Sequence, residues 1–372
     1  MFEVLEHREK LQTKILTGNE ASAYAAMNAK VRFVAGYPIT PATSVIETIS
    51  KLIDEGKMKA RFVAVESEHS AMSACVGASY AGLRTFTATS SHGLAYMHEM
   101  LHFAVNARTP VVMAVANRAI GPGWNIWSDL SDSLSQRDTG WLQFYCSDIQ
   151  EIYDTIAMAY RIAEQVMLPV MVCYDGFVLS HSTKPIEVTP LDGFIEERDA
   201  EGIDFDNPTT FGNISPPESY FSLRKAIHKA VEGSLDVIGC IEQEFLEYSN
   251  RYTPMLCEGY FLDDAEKVMV SMGAVASEAR VAVDLLRDEG EKWGLLKVKS
   301  FKPLPKKIIK AMLSGKEVFV IDRSLSPGTG GILHHEMSSI LGDVNSAILG
   351  LGGVDVTAEA IVGSLKRLRG FT

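Results

Sequence analysis

Residues 110–116 read PVVMAVA and residues 168–174 read LPVMVCY, two apolar runs without polar alternation. A strand with one wet face alternates, whereas a strand covered on both faces does not, so these runs point to the interior of a parallel sheet. Working outward, Val31–Ala35, Arg61–Val65 and Arg84–Ala88 are further short β-rich runs. Helix-length amphipathic segments lie between the runs around Pro41–Asp54, Ser67–Ala81, Gly93–Asn106 and Ile149–Gln165. The alternation predicts a doubly wound α/β layer in the first half. From about Thr183 to Pro217, Pro, Gly, Asp and Asn displace any periodicity, which predicts a connecting segment, and Tyr220–Tyr248 has long-helix spacing. Alternation resumes in KVMVSMG, GLLKVKSF, EVFVIDRS and NSAILGLGG. The expected division is therefore 1–182, a connecting segment and helix over 183–257, and a smaller α/β domain over 258–372.

Composition bounds the function. A length of 372 residues implies two or three domains. Hydrophobic residues make up 47% and charged residues 22%, enough apolar surface for a large core. The balance of 35 basic against 47 acidic residues, net −12, argues against a nucleic-acid binder or a polybasic membrane-surface protein. The five cysteines contain no CxxC, so no thiolate cluster for zinc or iron–sulfur is legible, and their scatter fits reduced thiols in a cytoplasmic protein. The charged start, MFEVLEHREKLQTK, is unlike a signal peptide, and no apolar run is long enough for a membrane span. Any redox centre is expected elsewhere.

In open α/β sheets ligands gather at the carboxyl ends of strands, and four loops there carry chemistry. GYPITP (Gly36–Pro41) offers the Thr40 hydroxyl either to an anion or to a helix start with Pro41 at its first position. VESEHSAM (Val65–Met72) crowds Glu66, Glu68 and His69 at a strand-to-helix junction, where an acid either complements the helix dipole or exchanges a proton with a bound heterocycle. TATSSHGL (Thr87–Leu94) places Thr89, Ser90 and His92 beside Gly93, a polar turn or a close approach to a ligand. In ANRAIGPGWNIWSDLSDSLSQRDTGW, Arg118 is either a carboxylate clamp or half of a salt bridge to Asp129, Asp132 or Asp138. Trp124 and Trp127 in the same loop are candidates for a pocket wall or lid. SPGTGG (Ser326–Gly331) enters a helix without a Walker lysine and reads as a tight turn more readily than as a phosphate site. YDGF (Tyr174–Phe177) lacks the first glycine of a diphosphate–Mg²⁺ motif.

Taken together, GYPITP, VESEHSAMSACVGASYAGLRTFTATSSHGLAYMHE, the Arg118 region with SDLSDSLSQRDTGW, and LPVMVCYDGFVLSH resemble the alpha subunit of 2-oxoacid:ferredoxin oxidoreductases, the pyruvate:ferredoxin oxidoreductase type in particular. VMVSMGAVASEAR, FKPLP, VIDRS and LGLGGVDVT resemble the same family's second domain, in collinear order. The resemblance implies a pyrimidine-type thiamine diphosphate-binding domain followed by a transketolase C-terminal-like domain. It implies a beta subunit with the diphosphate-binding domain, Mg²⁺ and an iron–sulfur cluster, gamma/delta-type subunits with further clusters, and ferredoxin as electron acceptor. The implied reaction is oxidative decarboxylation of a 2-oxoacid, pyruvate first, to acyl-CoA and CO2, with coenzyme A as co-substrate. By motif, Glu68 would hydrogen-bond the aminopyrimidine ring of thiamine and promote its proton transfer; Thr40 and Arg118 would hold the substrate carboxylate. Thr89, Ser90 and His92 would line the cofactor cleft, and Trp124 the substrate side. Leu130 stands where the family often has His, which points to a more apolar pocket. That keeps open an aryl or branched 2-oxoacid (phenylglyoxylate, indolepyruvate, 2-oxoisovalerate), beside a scaffold paralogue without chemistry.

Overall fold

The computed structural model describes residues 12–121, 123–198, 206–208 and 214–369. The segments 199–205 and 209–213, part of the expected connecting segment, lie outside the described residues. In chain order the elements are β1 (Gln12–Thr17), α1 (Gly18–Asn28), β2 (Phe33–Gly36), α2 (Thr43–Asp54), β3 (Arg61–Ala64), α3 (Glu68–Tyr80), β4 (Thr85–Thr89), α4 (Ser91–Tyr96), α5 (His98–Asn106), β5 (Val112–Asn117), α6 (Ser131–Leu134), β6 (Leu142–Tyr145), α7 (Ile149–Val166), β7 (Val170–Asp175) and β8 (Thr183–Val188). There follow α8 (Pro217–Ser249), β9 (Cys257–Tyr260), β10 (Lys267–Ser271), α9 (Val275–Asp288), β11 (Trp293–Val298), β12 (Ser300–Lys302), α10 (Lys306–Leu313), β13 (Glu317–Asp322), α11 (Ile332–Leu341), β14 (Asn345–Ile348) and α12 (Ala358–Arg369).

The larger sheet has the order β12-β6-β7-β5-β4-β2-β3, parallel except for β12, and the smaller sheet the order β14-β13-β10-β11-β9, parallel except for β9. The apolar runs PVVMAVA and LPVMVCY form most of β5 and β7, which pair with each other and are buried at every position. From β2 the chain steps one way to β3 and then crosses back to β4. Right-handed crossovers in opposite directions put α2 and α3 on opposite faces of the sheet. The contacts agree: α2 packs on α1 and α1 on α7, whereas α3 packs on α4 and α5. The topological switch therefore falls between the carboxyl ends of β2 and β4, the loops that carry Thr40 and Thr89–His92.

Three details differ from the sequence reading. The helix expected over Gly93–Asn106 is two, α4 and α5, parted at Met97. The segment from Thr183 opens with β8, which pairs antiparallel with β1. The helix after GYPITP starts at Thr43, so Pro41 does not occupy its first position. The Gly-rich turn Ser326–Gly331 is closed to phosphate. The buried Asp322 carboxylate accepts the His334 N–H at 2.9 Å, and a β-carbon at Gly331 would overlap it, so the chain's own anion fills the start of α11.

The two sheets meet through buried ion pairs. Lys297 on β11 reaches Glu151 on α7 at 2.5 Å and Glu258 on β9 at 2.6 Å, with the fully buried Lys299 ammonium 3.9 Å from Glu151. Burial alone raises the Glu151 carboxyl, but the charges of Lys299 and Lys297 and hydrogen bonds from Lys297 and the Ser147 N–H overcome it and bring the group down to about 2. A depressed carboxyl stabilises the fold above its unfolded pKa and loses that contribution as pH falls through its folded one. The junction is therefore expected to weaken between pH about 4.5 and about 2, by on the order of 3 kcal/mol. Urea midpoints at stepped pH, followed by tryptophan fluorescence, measure this. A midpoint constant over that window contradicts the pairing.

Candidate active site

The strand ends gather the candidate residues by a chain of contacts. Glu68 begins α3, whose cap is the Ser67 hydroxyl accepting the Ser70 N–H. The neighbouring Glu66 is exposed and accepts the Ser70 hydroxyl at 2.5 Å, so it serves the helix start and is held below its usual range by that bond. Glu68 differs. It is only 7% exposed, and among the described residues its carboxylate has no hydrogen-bond or ion-pair partner. It faces Gly93 on α4: a β-carbon there would lie 2.5 Å from Glu68 Oε1 and 2.7 Å from Thr89 Oγ1. Glycine at 93 is what admits both groups.

The hydroxyls of Thr87, Thr89 and Ser90 are buried and have no partner among the described residues. Buried polar groups are normally satisfied, so unpaired hydroxyls beside an unpaired buried carboxylate mark a place for a polar ligand. His92 Nδ1 lies 3.1 Å from the Ser91 hydroxyl, and its ring stands 5.6 Å from that of Trp124, which is 89% exposed.

Arg118 follows β5 and is buried, which lowers the affinity of its guanidinium for its proton. Its Nη1 donates to Thr40 O and its Nε to Asn125 O, both at 3.1 Å. No carboxylate of the described residues lies within ion-pair distance. Of the three acids considered in the sequence reading, Asp132 instead accepts the Arg118 backbone N–H at 2.9 Å, Asp129 accepts Ser131 and Gly352 N–H groups, and Asp138 lies beside Arg137. The fork is held by carbonyls and keeps donors for another anion. Thr40 is exposed beside it, in the loop after β2.

Asp132, expected at most as a salt-bridge partner of Arg118, has a different role. Fully buried, it accepts Ser91 N, Arg118 N, Ser133 N and Asn117 Nδ2 at 2.7–2.9 Å, and so ties the loop after β4 to the loop after β5. Burial pushes its carboxyl up to about 7, against four donors that favour the charged form. Its only signal in the sequence was one acid among several in SDLSDS.

A family described as pyruvate flavodoxin/ferredoxin oxidoreductase, thiamine diphosphate-binding, matches residues 24–239, and pyruvate:ferredoxin oxidoreductase core domain II matches residues 265–361. The chain belongs to this family. It is 44% identical over 371 residues to ketoisovalerate oxidoreductase subunit VorA of Pyrococcus horikoshii, covering 95% of this chain and 94% of that one. It is also 44% identical over 363 residues to pyruvate synthase subunit PorA of Methanocaldococcus jannaschii, covering 94% and 93%. Among solved structures, the 2-oxoglutarate:ferredoxin oxidoreductase of Magnetococcus marinus, with 2-oxoglutarate, coenzyme A and succinyl-CoA bound, shares the fold at TM-score 0.76 and 23% identity. The similarity covers 95% of this chain and 65% of that one. A split-gene transketolase also shares the fold at TM-score 0.57, covering 95% and 97%. The expected α/β architecture and the resemblance both stand.

Within this oxidoreductase fold one expectation changes. Leu130, taken as a sign of an apolar pocket, is 2% exposed; its side chain approaches Gly273 at the junction of the sheets and its N–H bonds Arg323 O. It packs the interior and says nothing about substrate. No helix of the described residues is long and apolar enough to cross a membrane.

Proposed function

We propose that this chain is the subunit of a 2-oxoacid oxidoreductase that holds the pyrimidine end of thiamine diphosphate and the substrate carboxylate. The observation that carries the reading is a buried carboxylate, Glu68, and a buried guanidinium, Arg118, on the loops that flank the switch point, neither ion-paired among the described residues. Opposite charges left unpaired in a low dielectric are costly unless a ligand meets each of them. Glu68 would hold and move a proton at a ring nitrogen of the cofactor, with Thr89, Ser90 and His92 along the cleft. Arg118 and Thr40 would bind the carboxylate of the oxoacid, with Trp124 as a wall over it. Thiamine diphosphate, when bound, supplies the electron sink for decarboxylation; coenzyme A takes the acyl group.

Glu68, Thr40 and Arg118 do not wall the most spacious of the described cavities. That cavity, of about 670 Å³, lies at the junction of the sheets, walled by Trp127, Phe177, Val275 and Thr357. Tyr37, Tyr96, Trp124 and Ile126 are apolar and exposed on the candidate loops or beside them. A second chain closing over this face fits both facts. That chain would be a beta subunit bearing the diphosphate-binding domain, Mg²⁺ and an iron–sulfur cluster, with gamma/delta-type subunits leading to ferredoxin. The same reading divides the chain into 1–182, 183–257 and 258–372, and places the complex in the cytoplasm.

Pyruvate is the substrate we assign first; similarity to the ketoisovalerate subunit favours 2-oxoisovalerate as the second reading. One carboxylate-binding fork fits a monocarboxylic oxoacid. The complex purified with its partner chains is expected to reduce a viologen dye with pyruvate or 2-oxoisovalerate and coenzyme A, and at least about tenfold more slowly with 2-oxoglutarate. A preference for 2-oxoglutarate would refute the substrate assignment. Inactivity across these acids, phenylglyoxylate and indolepyruvate would return the chain to a scaffold role.

A further inference from the structure

The Arg118 guanidinium is secured by a turn distant in the chain. Its Nε donates to Asn125 O, and Asn125 donates through Nδ2 to Gly352 O at 2.9 Å while its Oδ1 accepts the Trp127 N–H at 2.7 Å. Gly352 belongs to the turn Gly350–Gly353 that follows β14 of the smaller sheet, 227 residues away in the chain. Gly350, Gly352 and Gly353 have φ of +74°, +59° and +88°, a backbone that side chains rarely adopt. A β-carbon on Gly352 would lie 2.6 Å from Asn125 Nδ2, and one on Gly353 would overlap Trp127. Gly352 N also donates to Asp129 Oδ2 at 3.2 Å. The turn thus meets the loop at three residues, close enough that only glycine fits. Asparagine at 125 supplies an amide donor for one side and an acceptor for the other, which aspartate of the same size does not.

We propose that Asn125 is a positioning residue for substrate recognition. It couples the Gly350–Gly353 turn of the smaller unit to the Arg118 guanidinium, so that this unit sets the plane of the fork that takes the substrate carboxylate. The inference rests on the reading of Arg118 given above. Two backbone carbonyls, Thr40 O and Asn125 O, fix a planar guanidinium, and the Asn125 side chain holds the second in place through Gly352; without that anchor the carbonyl shifts, the guanidinium turns and two-point recognition is spoiled before chemistry begins. The deficit belongs in KM for the oxoacid and leaves turnover alone.

The test uses the assembled complex. Asn125→Ala is expected to raise the oxoacid KM about tenfold, with turnover and the coenzyme A KM within about twofold of the parent. Gly352→Ala, made from the other side of the contact, is expected to give the same split. In an Arg118→Ala background, Asn125→Ala should add nothing further, because it acts through the missing guanidinium. If Arg118→Ala raises KM and both other variants leave it unchanged, the coupling is wrong and the Arg118 reading survives. If Arg118→Ala leaves KM unchanged, the reading itself fails first. Independent, additive losses in the double variant also overturn the coupling. Should Asn125→Ala fail to assemble, Gly352→Ala alone decides.

Discussion

Glu68→Gln is expected to slow the turnover of oxoacid-driven dye reduction by at least about a hundredfold, while the chain folds and assembles as before. The substitution keeps size and one hydrogen-bond acceptor and removes only the ability to hold and return a proton. Glu68 makes no hydrogen bond to another described residue, so no internal bond is lost with the charge. Removing an unpaired buried carboxylate relieves a desolvation penalty, so the thermal midpoint should stay or rise. That opposition, activity down and stability level or up, separates a chemical role from a structural one. A variant of undiminished activity would sink the role assigned to Glu68. A variant that lost activity and stability together would show Glu68 to be a packing residue. Glu68→Asp, which keeps the acid but shortens its reach, should recover only a fraction of the rate, since proton transfer needs hydrogen-bond distance.

The sequence displays the scaffold of this site better than its supports. β5 and β7 were legible because both faces are covered and their sequence runs are apolar. β6 was not: LQFY carries a glutamine, whose burial is explained by the bonds from Gln143 Nε2 to Ser133 O and Met171 Sδ. β12 is three residues long and exists because Ser300 and Lys302 find an edge of the larger sheet, a partnership no local pattern announces. The same contrast holds in the site. Glu68, Thr40 and Arg118 lie in the loops at strand ends or at the helix start that follows, where residue type and position can be read together. Asp132 and Asn125 act on backbone groups of distant segments, and backbone groups leave no mark in a sequence.

Asp175 shows how a motif fragment can mean something else. YDGF looked like a truncated diphosphate motif, yet the carboxylate of Asp175 is 1% exposed and joins the two sheets. Its Oδ1 takes Arg323 Nη1 at 2.6 Å and the Ser128 hydroxyl at 3.0 Å, and its Oδ2 takes the Ala274 N–H at 2.9 Å. Arg323 also donates from Nε to Gly350 O and from Nη2 to Ser128 O. Arg323→Ala would leave a buried carboxylate with two neutral donors and two carbonyls unserved. The expected loss is about 3–5 kcal/mol, read as a fall in the urea midpoint at an unchanged slope. Replacing both partners, as Asp175→Leu with Arg323→Met, should recover a good part of it, because the penalty comes from the charge left alone and not from the pair removed. A single-variant loss below about 1 kcal/mol would mean that water reaches the pair and that the junction is looser than its burial implies. The recovered double variant carries a second reading. Arg323 also holds Gly350, the first residue of the turn that meets Asn125. Stability restored without the oxoacid KM would place Arg323 in the positioning of Arg118 as well as in the clasp between the sheets.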